Sequence, residues 1–197
     1  FGELVLIAGD ACLPYEASSI PEQFKKMFIP GKFNHIILTG NMCTDAEIGF
    51  FQNICDDVSC VRGRLDDSTM FQETVVKEIC GYKLVAVSGS RLLASATDAL
   101  LVATAERMGC DIEIYGGTHK LSVEKKGKVL YVNPGSLTGA FSPTNVENNP
   151  SFILLALQSN EITVFTYQLK DGKLDVGKTS FARSEERRVG KECRSRW

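Results

Sequence analysis

Five apolar runs of strand length each empty into a short loop of glycine and polar residues. The loops read "GDAC" at 9–12, "TGN" at 39–41, "RGRLD" at 62–66, "SGS" at 88–90 and "GGTHK" at 116–120. A repeated strand-then-loop order of this kind restricts the chain to an α/β arrangement. Strands buried on both faces read as continuous apolar runs, and ligands collect beyond their carboxyl ends. His119, in the last loop, is one of only two histidines.

The segments between the loops support that reading. "ELVLIAG" (3–9), "HIILT" (35–39) and "VSCV" (58–61) are apolar throughout. Between them, "SIPEQFKKMF" (19–28) and "TDAEIGFFQNI" (44–54) have helical spacing. Each opens with a capping-box pattern, Ser19 to Glu22 and Thr44 to Glu47, and Pro21 falls in the first turn. A third helix is expected over "SATDALLVATAERM" (95–108), capped by Ser95. The second half is richer in strands. "ETVVKEIC" and "YKLVAVS" flank Gly81 as a hairpin, and "LSVEKK" and "KVLYV" flank Gly127. "SFILLALQ" and "EITVFTYQL" flank Ser159-Asn160, and "KDGK" (170–173) carries an Asp-Gly hairpin signal. The expected architecture is one α/β domain with a mixed sheet, a second, largely antiparallel sheet, and helices outside.

Composition excludes several function classes. The 197 residues suit one domain, and 44% hydrophobic content supports a real core. No apolar run approaches the roughly 20 residues of a membrane-spanning helix. No basic segment precedes an apolar one, so no secretory signal is expected. From Arg183 the chain reads "RSEERRVGKECRSRW", an aperiodic segment with six basic and three acidic residues. It resembles vector-derived sequence, which places the domain at 1–182 and a tail at 183–197; a basic peptide for membranes or nucleic acid is the alternative. Without the tail the net charge of −2 becomes −5, which gives no nucleic-acid footprint. The six other cysteines, Cys12, Cys43, Cys55, Cys60, Cys80 and Cys110, form no C-x-x-C pair and read as free, mostly buried thiols. His35 reads as a satisfied or surface histidine. "NPGS" (133–136) reads as a tight turn or an anion cradle.

The loop series resembles the calcineurin-like metallophosphoesterase superfamily, whose loops run G-D-x-H, G-D, G-N-H-D, G-H and G-H-x-H. Within it, the chain is similar to the family of the small subunit of retromer through "PEQFKKMFIPGKFNHIILTGN", "VNPGS-TGA" and "PSF-L" followed by "YQL", a likeness running from about residue 4 to 181. The resemblance implies a metallophosphoesterase-like two-sheet β-sandwich flanked by helices. A two-metal site of that type holds two ions about 3.5–4 Å apart on bridging carboxylate, imidazole and amide ligands. Carried over residue by residue, Asp10 is kept, Cys12 stands for a histidine and Asn41 for the bridging aspartate. Arg64 and Leu65 stand for the asparagine and histidine of the third loop, Ser88 and Gly117 for two further histidines, and His119 is kept. The losses at Arg64, Leu65, Ser88 and Gly117 leave no two-metal hydrolase, and the fixed guanidinium of Arg64 is expected to pair with Asp10. Asp10, Cys12, Asn41 and His119 either surround a single zinc or are packed and hydrogen-bonded without one.

The same resemblance implies a non-catalytic scaffold. Its large partner is the α-solenoid subunit of a cytosolic coat that retrieves cargo from endosomes, docked on the metal-loop face; Arg91, Leu92 and Leu93 follow the fourth loop and are the expected contacts. A second, apolar groove for Pro- and Leu-containing segments of regulators maps onto Leu4, Leu154, Phe165, Tyr167 and Val176. Phe165 stands at a tyrosine position of the family and lacks its hydroxyl. These five residues read equally as ordinary core between the sheets. Membrane contact is expected only through the complex. The rival readings are a divergent one-metal phosphoesterase and an adaptor that kept the fold for another partner.

Overall fold

The structure, a computed structural model, describes residues 2–66, 71–89, 97–143 and 145–183. The first sheet is built on β1 (Glu3–Ala8), β2 (His35–Leu38) and β3 (Val58–Cys60), which run parallel. On its other edge β1 pairs antiparallel with β9 (Ser151–Gln158), which continues into β10 (Glu161–Lys170) and β11 (Lys173–Ala182), giving the order β11-β10-β9-β1-β2-β3. The second sheet has the order β4-β5-β6-β8-β7. Its strands are β4 (Thr74–Ile79), β5 (Tyr82–Val87), β6 (Ile112–Tyr115), β7 (Leu121–Lys126) and β8 (Val129–Pro134). The hairpins at Gly81, Gly127 and Asp171-Gly172 fall where the turn residues predict them.

Two expectations need correction. The second sheet is mixed: β5–β6 and β6–β8 are parallel, while β4–β5 and β7–β8 are antiparallel. The helix over 19–28 is a single turn, α1 (Glu22–Lys25), capped by Pro21 with no side-chain bond from Ser19. Propensity alone does not hold so short a segment. It is pinned through Phe24, whose ring meets Phe152 edge-on at 4.8 Å. α2 (Asp45–Gln52) begins after Thr44 as expected, but the Thr44 hydroxyl donates to the Glu47 carboxylate and not to a backbone amide. α3 spans Thr97–Met108, and its expected cap, Ser95, lies outside the described residues.

Strand alternation divides the core into three layers. Val5, Ile7, Ile153 and Leu155 face Leu84, Ile112, Ile114 and Val132 across the gap between the sheets. Leu6, Ala8, Phe152 and Leu154 point outward to the layer held by Phe24, Phe28 and Phe51. On the far side, Val85, Val87 and Tyr131 pack with Leu101 and Ala105 of α3. The fold also reaches one residue beyond the expected boundary at 182. The Arg183 amide bonds Asn160 O, its guanidinium donates to Ser159 O and Gly81 O, and it lies 4.6 Å from the Tyr82 ring centroid.

The parallel strands of both sheets end at the same edge of the molecule, and close packing there explains two glycines. A Cβ on Gly40 would lie 2.6 Å from the Gly63 nitrogen, and one on Gly89 would lie 2.2 Å from the Gly116 carbonyl oxygen. The strand-end loops touch backbone to backbone, and only glycine allows that approach.

Candidate functional site

The loop after β1 carries Asp10 into complete burial. Its Oδ1 accepts the side-chain amide of Asn41 at 2.7 Å, and its Oδ2 accepts the backbone N–H of Gly117 at 2.6 Å. Burial pushes the carboxyl above the usual range, opposed chiefly by His119 and by those two donors. Asn41, after β2, is engaged at both ends: its Oδ1 accepts the N–H of Leu65 at 3.0 Å. Asp10, Cys12, Asn41 and His119 all hold positive φ, between 47° and 57°. This conformation is unusual for residues with a Cβ and persists where surrounding bonds over-determine it.

His119 sits at the mouth. Its Nδ1 lies 3.0 Å from the Ala140 carbonyl oxygen, which only accepts, so Nδ1 carries the hydrogen. The Nε2 edge turns toward Asp10, 3.9 Å from Oδ1. The Cys12 thiol is buried beside it, and burial, reinforced by the Asp10 and Glu16 carboxylates, pushes its pKa up. The Glu16 N–H bonds back to Cys12 O at 2.8 Å, a single turn that brings residue 16 over residue 12. One ligand atom each from Cys12, Glu16 and His119 falls within 4.8 Å of the others. Glu16 was not singled out by the sequence reading. Its signal was the four-residue spacing from Cys12, legible only once the segment is known to turn.

The edge of the site is built on a residue also missed. Asp66 is buried, and its carboxylate accepts three backbone N–H groups: Asn41 at 2.9 Å, Gly63 at 2.7 Å and Cys43 at 2.7 Å. It staples the loop after β2 to the loop after β3. The opposite wall is "NPGS", which is a tight turn: Asn133 Oδ1 accepts the Gly135 N–H at 2.9 Å, and Ser136 Oγ donates to Asp10 O at 2.7 Å.

Residues 3–160 match the calcineurin-like phosphoesterase superfamily domain. Vacuolar protein sorting-associated protein 29 of Schizosaccharomyces pombe is 30% identical over 186 residues, covering 92% of this chain and 100% of that one. The chain belongs to the vacuolar protein sorting-associated protein 29 (Vps29) family. Vps29 from Cryptosporidium parvum aligns with a TM-score of 0.88 at 36% identity, over 93% of this chain and 100% of that one. A zinc complex of wild-type Vps29 from Entamoeba histolytica aligns with a TM-score of 0.84 at 30% identity, over 90% and 98%.

Against the Vps29 family pattern, the structure separates the expected site residues into three groups. Asp10, Cys12, Asn41 and His119 converge. Arg64 does not: it is exposed, and the groups acting on the buried Asp10 are His119, Asn41, Gly117 and Asp66, so the expected Asp10–Arg64 pair is not formed. A long side chain loses less hydration in solvent than beside a carboxylate already satisfied by two donors. Leu65 is half-buried, the Ser88 hydroxyl donates to Arg62 O, and Gly117 contributes its N–H to Asp10. Arg91, Leu92 and Leu93 lie outside the described residues.

The five groove residues all sit on the outer face of the first sheet, not between the sheets. Leu154 pairs with Leu6 and Phe165, and Tyr167 with Phe152 and Val176, so their side chains share a face. Leu154 is only 8% exposed within the layer of Phe24 and Phe51, Leu4, Phe165 and Tyr167 are half-buried, and Val176 is 49% exposed. Tyr167 stacks on Phe152 with ring centroids 4.6 Å apart, and Lys178 Nζ lies 5.7 Å from the Phe165 ring centroid. His35 is satisfied: its two ring nitrogens meet Asp57 and Glu3 carboxylates.

Proposed function

We propose that the chain is the small, non-catalytic scaffold subunit of retromer. It docks on the large α-solenoid subunit through the strand-end loop face and acts in endosome-to-Golgi and plasma-membrane cargo retrieval. On this reading it works in the cytoplasm, peripheral on the endosomal membrane through the complex. Among the described residues no helix is long and apolar enough to cross a membrane. Membership of the Vps29 family supports the assembly role.

The observation that carries the non-catalytic half is the state of Asn41 and Asp10. The atoms that would bridge two ions are spent on each other, on Gly117 N–H and on Leu65 N–H. A bridging ligand must present lone pairs to two metals. A neutral amide donating to its neighbour presents none on its nitrogen. Arg64, Leu65, Ser88 and Gly117 add no ligand to the second position. The purified protein is therefore expected to show no manganese- or zinc-dependent hydrolysis of p-nitrophenyl phosphate. Turnover that disappears in Asp10→Asn would instead establish the one-metal phosphoesterase.

The assembly is tested by affinity for the purified large retromer subunit. Leu93→Asp is expected to weaken it by about 2 kcal/mol or more, roughly thirty-fold, because interface cores exclude charge. The regulator groove is tested separately. Leu154 is too buried for a clean charge substitution, so Val176→Asp is the informative variant. It should weaken a Pro/Leu-containing regulator peptide in calorimetry and leave large-subunit affinity unchanged. Loss of both affinities would merge the two surfaces into one.

A further inference from the structure

We propose that Glu113 is a proton-controlled latch for α3: with its carboxyl protonated the helix stays seated on the second sheet, and ionisation lets the helix swing out about its anchored C-terminal end. This goes beyond the scaffold reading and does not rest on it. Glu113 is in the middle of β6, and its register partners are Val85 of β5 and Tyr131 of β8. Both belong to the layer that α3 covers, so the carboxyl lies between sheet and helix. It is fully buried, and neither oxygen has a hydrogen-bond partner among the described residues. Buried carboxyl groups are ordinarily paired, and an exception calls for an explanation.

The cover over that carboxyl is thin. Of the described side chains of α3 only Leu101 and Ala105, one turn apart, are buried; Leu100 and Val102 beside them are each 37% exposed. A cavity of about 500 Å³, with Val102, Ala105, Cys110, Val129 and Tyr131 in its walls, borders the helix. Side chains that line a void forfeit dispersion contacts. The two ends of α3 are held unequally. At the C-terminal end Lys83 Nζ donates to Met108 O at 2.7 Å, and the Lys83 N–H donates to Asp111 Oδ2 at 2.8 Å. Gly109, at a φ of 58°, turns the chain there. Toward the N-terminal end Asp98 meets Lys126 at 3.2 Å in a surface ion pair, which contributes little. Opening therefore pivots at Gly109 and uncovers Glu113 together with Val85 and Tyr131.

The groups around Glu113 give its anion no support. Tyr131 faces it from β8, with Lys126 Nζ of β7 over the far ring at 5.8 Å, and Cys110 approaches from the turn after α3. Lys83 lies on the same face of β5, and Asp111 and Tyr115 on the same face of β6. The charged residues of α3, Asp98, Glu106 and Arg107, are exposed. Burial raises the Cys110 thiol and the Tyr131 phenol, so both stay neutral at pH 7. Burial alone pushes the Glu113 carboxyl up to about 7, from 4.5. Ionisation in the seated state leaves an unpaired charge in an apolar layer; with the helix out, the proton passes to solvent and water surrounds the anion. A carboxyl raised in the seated state favours seating fully below about 4.5 and loses that contribution as pH rises to about 7. The opening equilibrium then rises about ten-fold per pH unit across that window, about 300-fold in all, and levels off above it.

The experiment is hydrogen exchange of the full chain between about pH 5 and pH 8, read by mass spectrometry on peptides from α3, β1 and β9, with rates corrected for the intrinsic rise of amide exchange with pH. Protection of α3 is expected to stand below that of β1 and β9 and to fall about ten-fold per pH unit up to about pH 7. In Glu113→Met, which removes the ionising group at similar volume, α3 protection should not vary with pH. Protection of α3 equal to that of the strands at every pH would mean that Glu113 meets water only in global unfolding, and would overturn the latch. Lower protection that stays constant with pH would overturn it as well, because the helix would then open without the carboxyl. A fall with pH that persists in Glu113→Met would move the effect to another group and remove Glu113 from it.

Discussion

Asp66→Ala is expected to lower the unfolding free energy by about 4 kcal/mol, since it strips a buried acceptor from three backbone N–H groups, each costing about 1–3 kcal/mol when left unsatisfied. The bonds to Asn41, Gly63 and Cys43, at 2.9, 2.7 and 2.7 Å, tie two loops whose backbone is otherwise unfavourable: Asn41 and Cys43 hold φ of 53° and 76°. Without the carboxylate those residues lose what holds them there. Asp66→Asn keeps one acceptor oxygen and turns an NH2 toward the remaining N–H groups, so it should cost a substantial part of the same loss. Urea denaturation followed by circular dichroism measures both. A loss below about 1 kcal/mol for Asp66→Ala would mean that water replaces the carboxylate and the staple is dispensable. In the metallophosphoesterase pattern this aspartate stands in a loop of catalytic ligands; in this chain its visible work is structural.

Glu113 is the second large effect. It lies mid-strand in β6 between Ile112 and Ile114, which face the inter-sheet core, so Glu113 points the other way, alongside Val85 and Tyr131 in the layer packed by α3. It is fully buried, and neither carboxylate oxygen has a hydrogen-bond partner among the described residues. Burial pushes its pKa up to about 7, from an ordinary value of 4.5. A carboxyl raised in the folded state contributes its full stability below the unfolded pKa and loses it as pH rises through the folded one. From this group alone, stability should fall by about 3 kcal/mol between pH 4.5 and 7, then level off. Glu113→Met removes the titrating group at similar volume. The stability difference between variant and parent should therefore grow in favour of the variant by about 3 kcal/mol from pH 4.5 to pH 8. A difference that stays constant with pH would mean the carboxylate finds solvent or a partner.

The site was partly legible beforehand. Asp10, Cys12, Asn41 and His119 are brought together, each following a strand whose apolar run marks where it ends, but the loop pattern alone left open whether they would meet. Arg64 was misplaced. Its charge suited Asp10, but charge complementarity says nothing about distance, and two neutral donors had already satisfied that carboxylate. Glu16 and Asp66 were missed because an acidic residue in a polar loop is ordinarily a solvated one. Glu113 is one acidic residue in the short strand "DIEIY", and no local pattern says that both faces of that strand are covered.

What the sequence by itself determined is local. Strand and turn positions followed from apolar runs and from glycine and Asp-Gly punctuation, since backbone conformation and burial periodicity act over a few residues. The Ser19 box failed at the limit of that range, where tertiary packing of Phe24 on Phe152 sets the length of α1. Only the tertiary structure decided which strands pair. β1 lies between β2 and β9, whose partner residues are about 30 and 150 positions away, and nothing in either segment's pattern names the other. It also decided that Leu154, Phe165 and Tyr167 belong to the outer layer and not to the gap between the sheets. In a strand apolar on both faces, alternation marks two faces without saying which is inside; the register with Leu6 and the rings of Phe24 and Phe28 settles it.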